Sequence, residues 1–269
     1  MIENVTGDEA GRIFLDYSGM VGGAPDMPLL RNLALGFSRL PYENISKIIK
    51  VSGVRDAGEA LRFPTEVVVD HIDKGFGGTC FSLTFFLERV LRSIGYDCYK
   101  VMADMNSGRN VHCLAVVREG GAKYMIDPGY ALYEVIRLPV GAVRVVCPHA
   151  VVEVVNDGEG GYGLWTEDAS GRKWRYTFRD DPVGDKDFER YWVESFSKPT
   201  LHNICLTRMT PRGHIYLRKD FFKFTSRKNI EKRRLKQDIE RFIQDEFGIA
   251  GDYVRTARDI LTLKRESAW

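Results

Sequence analysis

The sequence predicts an α+β fold in three consecutive parts: helical, antiparallel β, then mixed. Three patterns carry this reading: apolar residues at helical spacing in the first third, a series of short β-rich runs from Tyr96 to about Phe178, and strand-like runs followed by a helical stretch at the end. A chain of 269 residues can bury a sizeable core in one large domain or a few small packed ones. With 44% apolar and 28% charged residues it falls among globular proteins, away from disordered or fibrous ones.

In the first part, PLLRNLALGFSRL starts at Pro28 and PTEVVVDHIDKG at Pro64, the residue type suited to a first helical turn, with loop between them. Gly75, Gly77 and Gly78 then interrupt the chain. After them Leu83, Phe86, Leu87, Val90 and Ile94 recur on one helical face, and Gly95 ends the helix. The second part contains YKVMA, VHCLAVV, KYMID, VRVVC, VVEVV and KWRYTF, separated by Gly, Asp and Pro clusters, which predicts an antiparallel sheet or small barrel. A polar link, RDDPVGDKDFERYW, leads to strands at ICLTRM, HIYLR and FFKFT, with Gly213 in the first turn, and to a helix from about Asn229 to Phe247.

Composition excludes several classes. No run approaches the roughly 20 apolar residues that span a bilayer, and the N-terminus lacks a basic segment followed by an apolar one, so a cytoplasmic protein without a membrane partner is expected. A net charge of +2 offers no general affinity for nucleic acid. The five cysteines are widely spaced, without a CxxC pair or a Cys/His cluster, so neither a disulfide framework nor a metal site is expected.

The chemistry centres on Cys80. Thr79 is predicted to cap the helix by accepting from the Ser82 N–H, which makes Cys80 the first helical residue, with its sulfur at the positive end of the helix dipole. Such a site favours the reactive thiolate. The preceding glycines would let an acyl donor come close. Taken alone, a cysteine is more often a small buried apolar residue. A hairpin turning at Gly120-Gly121 supplies the context: pairing Arg118 with Lys123 sets His112 opposite Gly129 and diagonal to Asp127 on the same face, within roughly 7 Å. A slip of one residue would separate them. A thiol, an imidazole base and a carboxylate that orients it form a nucleophilic triad. Cys113, on the strand's other face, is assigned to packing.

Three segments in order, LPYENIS, GGTCF and the pair VHCLAVV with YMIDPGY, resemble the boxes of the arylamine N-acetyltransferases. The resemblance is clear from about residue 35 to 135. It implies a helical bundle over residues 1–97 carrying Cys80, a β-barrel over 98–195 carrying His112 and Asp127, and an α/β lid over 196–269, an arrangement also similar to cysteine proteases. It further implies an acetyl-CoA donor, an arylamine or hydrazine acceptor, an acyl-cysteine intermediate and a ping-pong cycle. Phe76, Gly78, Thr79 and Tyr130 take positions that face substrate in that scheme, and the Cys80 N–H that of an oxyanion donor. Phe76 stands where the family has an arginine paired to the glutamate of the first box. Glu43 is therefore expected to be exposed, or held by Lys74 or Arg109.

Rival readings use the same triad in an amide synthase or a transglutaminase-like hydrolase, or retain the fold in a ligand-binding module. The basic run Lys232, Arg233, Arg234 and Lys236 reads as a solvated helix face, with phosphate contacts from it or from Arg218 and Lys219 as the alternative. Trp165, Trp174 and Trp192 read as packing. His71, His149, His202 and His214 receive no role.

Overall fold

Helix α1 (Asp8–Ser18) opens the chain, then α2 (Met27–Phe37), strand β1 (Tyr42–Glu43), α3 (Ile45–Ser52), α4 (Pro64–Lys74) and α5 (Cys80–Ile94). The structure is a computed structural model describing residues 2–198, 202–235 and 237–266. Asp26 caps α2, its carboxylate accepting from the Leu29 N–H at 2.7 Å, while Gly75 and Gly95 end α4 and α5 in the left-handed conformation. The sequence reading missed α1 and the short α3. Helix α5 is the axis of this part: every residue from Cys80 to Leu91 is buried. Phe86 packs with Phe37 and Phe14 at ring distances of 4.7 and 5.7 Å. Truncating one such buried ring costs about 3–5 kcal/mol.

The next strands are β2 (Asp97–Met105), β3 (Gly108–Glu119), β4 (Ala122–Asp127), β5 (Leu132–Arg137), β6 (Ala142–Val146), β7 (Val151–Asn156), β8 (Gly161–Asp168) and β9 (Gly171–Arg179). They form one antiparallel sheet, ordered β5-β4-β3-β2-β9-β8-β7-β6, curled into a nearly closed barrel. Strands β5 and β8 were not anticipated. Its interior packs Val101, Leu114, Val116, Val152, Leu164 and Tyr176. The polar link contains a helix, α6 (Asp185–Glu194), whose Phe188 and Trp192 are buried against Phe81 and Phe85 of α5.

The last part holds β10 (Cys205–Thr210), β11 (Gly213–Arg218), β12 (Phe221–Thr225), β13 (Ile230–Arg234), α7 (Ile239–Phe247) and α8 (Gly251–Glu266). The helix expected from Asn229 is corrected here. Residues 230–234 pair with β12 as an edge strand, and α7 starts only at Ile239. Pairing decides it: β12 offers a free edge, and Arg233 and Arg234 lay their guanidinium groups over Phe222 and Phe221 at 4.8 and 5.7 Å. Lys236 lies outside the described residues, as do Pro199, Thr200 and Leu201. Strand β1 completes this sheet by pairing with β10, so Ile45 and Ile48 share a core with Leu206, Leu217 and Ile249. Among the described residues no helix is long and apolar enough to cross a membrane.

Candidate active site

The turn ahead of α5 is held by the first motif. Gly78 N–H donates to the Pro41 carbonyl at 3.2 Å, and Glu43 N–H donates to the Gly78 carbonyl at 3.0 Å. A Cβ on Gly77 would stand 1.8 Å from the Pro41 carbonyl oxygen, so this glycine serves chain-to-chain contact rather than donor access. Thr79 takes the cap position in extended conformation but makes no side-chain cap bond, against expectation. The Ser82 hydroxyl instead donates to the Thr79 carbonyl at 3.1 Å.

Glu43 is fully buried, and neither Lys74 nor Arg109 holds it. Its carboxylate accepts from the Ser46 N–H at 2.9 Å and hydroxyl at 2.5 Å, with Arg62 Nη1 at 3.7 Å. Arg62, only 3% exposed, also donates to the Gly77 carbonyl at 2.7 Å and to Asp70 at 2.8 Å. The guanidinium thus comes from before α4, a place local sequence spacing does not mark. Phe76 is freed to pack on Tyr253, with ring centroids 4.9 Å apart.

Cys80 meets β3 where β4 no longer covers it. Strand β4 pairs with residues 115–119, which leaves the carbonyls of Val111 and Cys113 facing α5. Helix α5 satisfies both: Thr84 Oγ1 donates to the Cys113 carbonyl at 3.1 Å, and the Cys80 thiol points at the Val111 carbonyl, 3.9 Å away. From that edge the sulfur reaches side chains on both faces of the strand, His112 on one and Cys113 on the other. Cys113 is therefore a neighbour of Cys80 as well as a packing residue.

The hairpin keeps the expected register, Arg118 opposite Lys123 and Ala115 opposite Ile126. His112 Nε2 donates to Asp127 Oδ2 at 2.8 Å, leaving Nδ1 for the thiol. Asp127 also accepts from the Tyr176 hydroxyl at 2.6 Å and the Tyr130 N–H at 2.9 Å, which fixes its orientation. Tyr176 was not foreseen, because it comes from β9, on the far side of β2. Gly129 was also missed as a site residue. A Cβ there would fall 2.5 Å from the Cys80 Cβ and 3.2 Å from His112 Cε1, so only glycine lets the loop close over the thiol.

These contacts shift the ionisation of both partners. The Cys113 S–H lowers the Cys80 thiol well below its usual range; burial opposes this, and His112 and then Lys47 reinforce it. For His112, burial disfavours the charge, but Asp127 and Cys80 prevail and raise it to about 10. The arrangement favours a thiolate beside an imidazolium. Lys47, buried and donating to Ser195 Oγ at 2.7 Å, is lowered by burial to about 8.

A cavity of about 790 Å³ opens on this group. Cys80, His112, Thr79 and Tyr130 line it, as does Arg218 from the last sheet. Phe76 and Gly78, expected to face substrate, do not: Phe76 lies in the core with Tyr253, and Gly78 is bridged to Tyr42. His149 and His214, given no role from the sequence, do line it. Among the described residues no group of His, Cys, Asp or Glu is arranged to hold a metal ion.

A family model described as N-acetyltransferase matches residues 26–254. An uncharacterized acetyltransferase, YvcN, of Bacillus subtilis strain 168 is 22% identical over 218 residues, covering 73% of this chain and 79% of that protein. Among solved structures, the arylamine N-acetyltransferase from Mycobacterium abscessus superposes with a TM-score of 0.79 at 19% identity, covering 93% of this chain and 94% of that one. The Salmonella typhimurium enzyme gives 0.75 at 18% identity, covering 92% and 97%. At such identities the superpositions establish the shared fold.

Proposed function

The chain belongs to the arylamine N-acetyltransferase family, and from that premise we propose that it carries an acetyl group from acetyl-coenzyme A, through a thioester on Cys80, to the nitrogen of an arylamine, hydrazine or related amine in the cytoplasm. In this reading residues 1–97 bring the nucleophile, 98–195 the base and its orienting carboxylate, and 196–269 cover the cleft.

His112 takes the Cys80 proton, and the thiolate attacks the thioester carbonyl of the donor. The carbonyl oxygen becomes an oxyanion at the N-terminus of α5, where the Cys80 N–H is placed to donate. Collapse breaks the bond to the coenzyme sulfur, which leaves as a thiol with the proton from His112. The amine then attacks acetyl-Cys80, His112 removes a proton from its nitrogen, and the amide departs as Cys80 is regenerated. Asp127 holds the imidazole in the tautomer both halves need and balances its charge in between. Arg109, Lys198 and Arg218 line the cavity and are exposed, which suits the donor's phosphates.

The observation that carries this reading is the Asp127–His112 bond of 2.8 Å beside a thiol at a helix N-terminus on the cavity wall. Intact mass after incubation with acetyl-coenzyme A tests it: a gain of one acetyl group, absent in Cys80→Ala and transferred on adding an arylamine, is expected. His112→Ala should slow acylation by about 10² or more. An unchanged mass despite rapid alkylation of Cys80 would overturn the donor, and equal alkylation of Cys80 and Cys98 would overturn the mechanism.

A further inference from the structure

The acyl-transfer steps give Lys47 no bond to make, yet it stands at the Cys80 end of the cleft. Strand β1 is tied to Gly78 through Tyr42 and Glu43, and α3 follows at once, so Lys47 lies one helical turn beyond the contact that holds the Cys80 turn. Lys47 and Cys80 both line the cavity, and each acts on the ionisation of the other. The other lysines on the cavity wall differ. Lys198 is exposed. At the far end, where Arg175 of β9 and His149 face His214 of β11, Lys223 of β12 has Asp168 at 3.9 Å.

The surroundings of Lys47 are those of an amine that can lose its proton. It is 6% exposed and has no carboxylate partner among the described residues. Its Nζ donates to Ser195 Oγ at 2.7 Å and to the Ser195 carbonyl at 3.3 Å, and lies 4.3 Å from the centre of the Phe196 ring. The Ser195 hydroxyl donates in turn to the Trp192 carbonyl at 2.6 Å, so Ser195 offers Lys47 acceptors only. A neutral amine keeps both bonds and is left with a lone pair that no donor among the described residues caps. Burial lowers the group to about 8, so some free amine is present in neutral solution. An amine this enclosed meets only an acyl group already inside the cleft.

We propose that Lys47 is a self-acetylation site: in the absence of an acceptor amine, the acetyl group passes from Cys80 to Lys47 Nζ and stays there as an amide. The proposal rests on the acyl-transfer reading, which supplies the thioester. The Nζ lone pair attacks the thioester carbonyl, whose oxygen becomes an oxyanion beside the Cys80 N–H, and the C–S bond breaks once the C–N bond has formed. The C–S electron pair stays on Cys80, and the proton shed by nitrogen ends on the Cys80–His112 pair. Two terms drive the step: an amide is more stable than a thioester, and a buried cation without a counter-ion becomes a neutral group. The cavity of about 790 Å³ has room for the added acetyl. Acetyl-Lys47 then marks a molecule that has met donor without acceptor.

Incubation with acetyl-coenzyme A in amine-free buffer, followed by neutral hydroxylamine, tests this. Hydroxylamine strips acetyl from sulfur and leaves an amide in place. Intact mass should show one hydroxylamine-resistant acetyl group, and peptide mapping should put it on Lys47. Cys80→Ala should carry at least about tenfold less of it, because direct transfer from the coenzyme lacks the proximity of the bound thioester. Lys47→Arg should lose the resistant acetyl while a labile one still forms on Cys80. A resistant acetyl on another residue, or in equal amount in Cys80→Ala, overturns the proposal. The mapping is made on wild type, so it decides the matter whether or not Lys47→Arg folds. A labile acetyl on wild type with no resistant one after prolonged incubation sinks self-acetylation alone. If wild type gains neither although Cys80 alkylates rapidly, the acyl-transfer reading falls and takes the proposal with it.

Discussion

The two ends of the cleft handle charge in opposite ways. At the Cys80 end the ionic partners come from within the protein: imidazole on carboxylate at 2.8 Å, and Arg62 inside Ser46, Gly77, Asp70 and Glu43. At the Arg175 end cations outnumber carboxylates among the described residues, and Nδ1 of His149 has no hydrogen-bond partner among them. A group that must create charge during reaction needs its counter-charge in place beforehand, whereas a group that receives charge from a ligand must be left short of it. The first end is self-sufficient in charge, whereas the second carries an excess of cations among the described residues.

The largest effect is expected from breaking the self-sufficient end. Asp127→Asn keeps the shape but removes the charge that balances the imidazolium, and single-turnover acetylation of Cys80 should slow by about 10³- to 10⁴-fold. A loss below about tenfold would mean that Asp127 only caps the turn through the Tyr130 N–H and adds little to general-base chemistry. Next comes Arg62→Met, which strands the fully buried Glu43 carboxylate and should cost about 3–5 kcal/mol in urea unfolding. Arg175→Met, at the other end, should cost less than about 1 kcal/mol, because among the described residues Arg175 has no carboxylate partner and Asp168 pairs with Lys223 instead. Similar losses for the two would erase the distinction between the ends.

Acidity separates them further. His149 is held neutral by burial and by Arg175, its folded value lowered to about 4 against about 6.5 unfolded. Below the unfolded value the unfolded chain binds a proton that the folded chain does not, so stability falls with decreasing pH across the window from about 6.5 to about 4. From pH 7 to 5 this residue alone should remove about 2 kcal/mol, at 1.36 kcal/mol per pH unit. His149→Gln should flatten that part of the stability profile in thermal unfolding followed at both pH values. An unchanged profile would mean that His149 is hydrated in the folded protein and that burial does not hold it neutral.

How much of each end can be read in the sequence follows the same division. The His112–Asp127 pair is legible because the hairpin is local: Gly120 and Gly121 both take positive φ, the turn this pairing requires, and the register it sets, observed from Ala115–Ile126 to Glu119–Ala122, puts the two residues on one face when extended to them. Helices α4 and α5 are legible through Pro64, Gly75 and Gly95. The segment from Ile230 to Arg234 misleads, since its charges fit a helix face as well as an edge strand and only the exposed side of β12 decides. Strand β8 is hidden by the glycines of GYGLW. Arg62 with Glu43, Tyr176 with Asp127 and His149 with His214 join residues from distant elements, and no periodicity carries such pairs. The far end of the cleft, drawn from β8, β9, β11 and β12, is of that kind throughout.

The smallest effect tests whether the Cys80 end is tuned beyond its triad. Cys113 sits on the opposite face of β3 from His112, yet its S–H is the leading influence that lowers the Cys80 thiol, because Cys80 meets the strand at its uncovered edge. Removing that donor in Cys113→Ala should raise the Cys80 thiol back toward its ordinary range, because the thiolate loses a hydrogen bond. The alkylation rate against pH reads this directly: the acid limb of the profile should move toward higher pH, so that less thiolate is present in slightly acidic buffer. Cys113→Ser restores a donor of similar size and should bring the profile back. If Cys113→Ala alkylates with the wild-type profile, Cys113 does nothing but pack, and the depressed thiol owes its state to His112, Lys47 and the helix end alone.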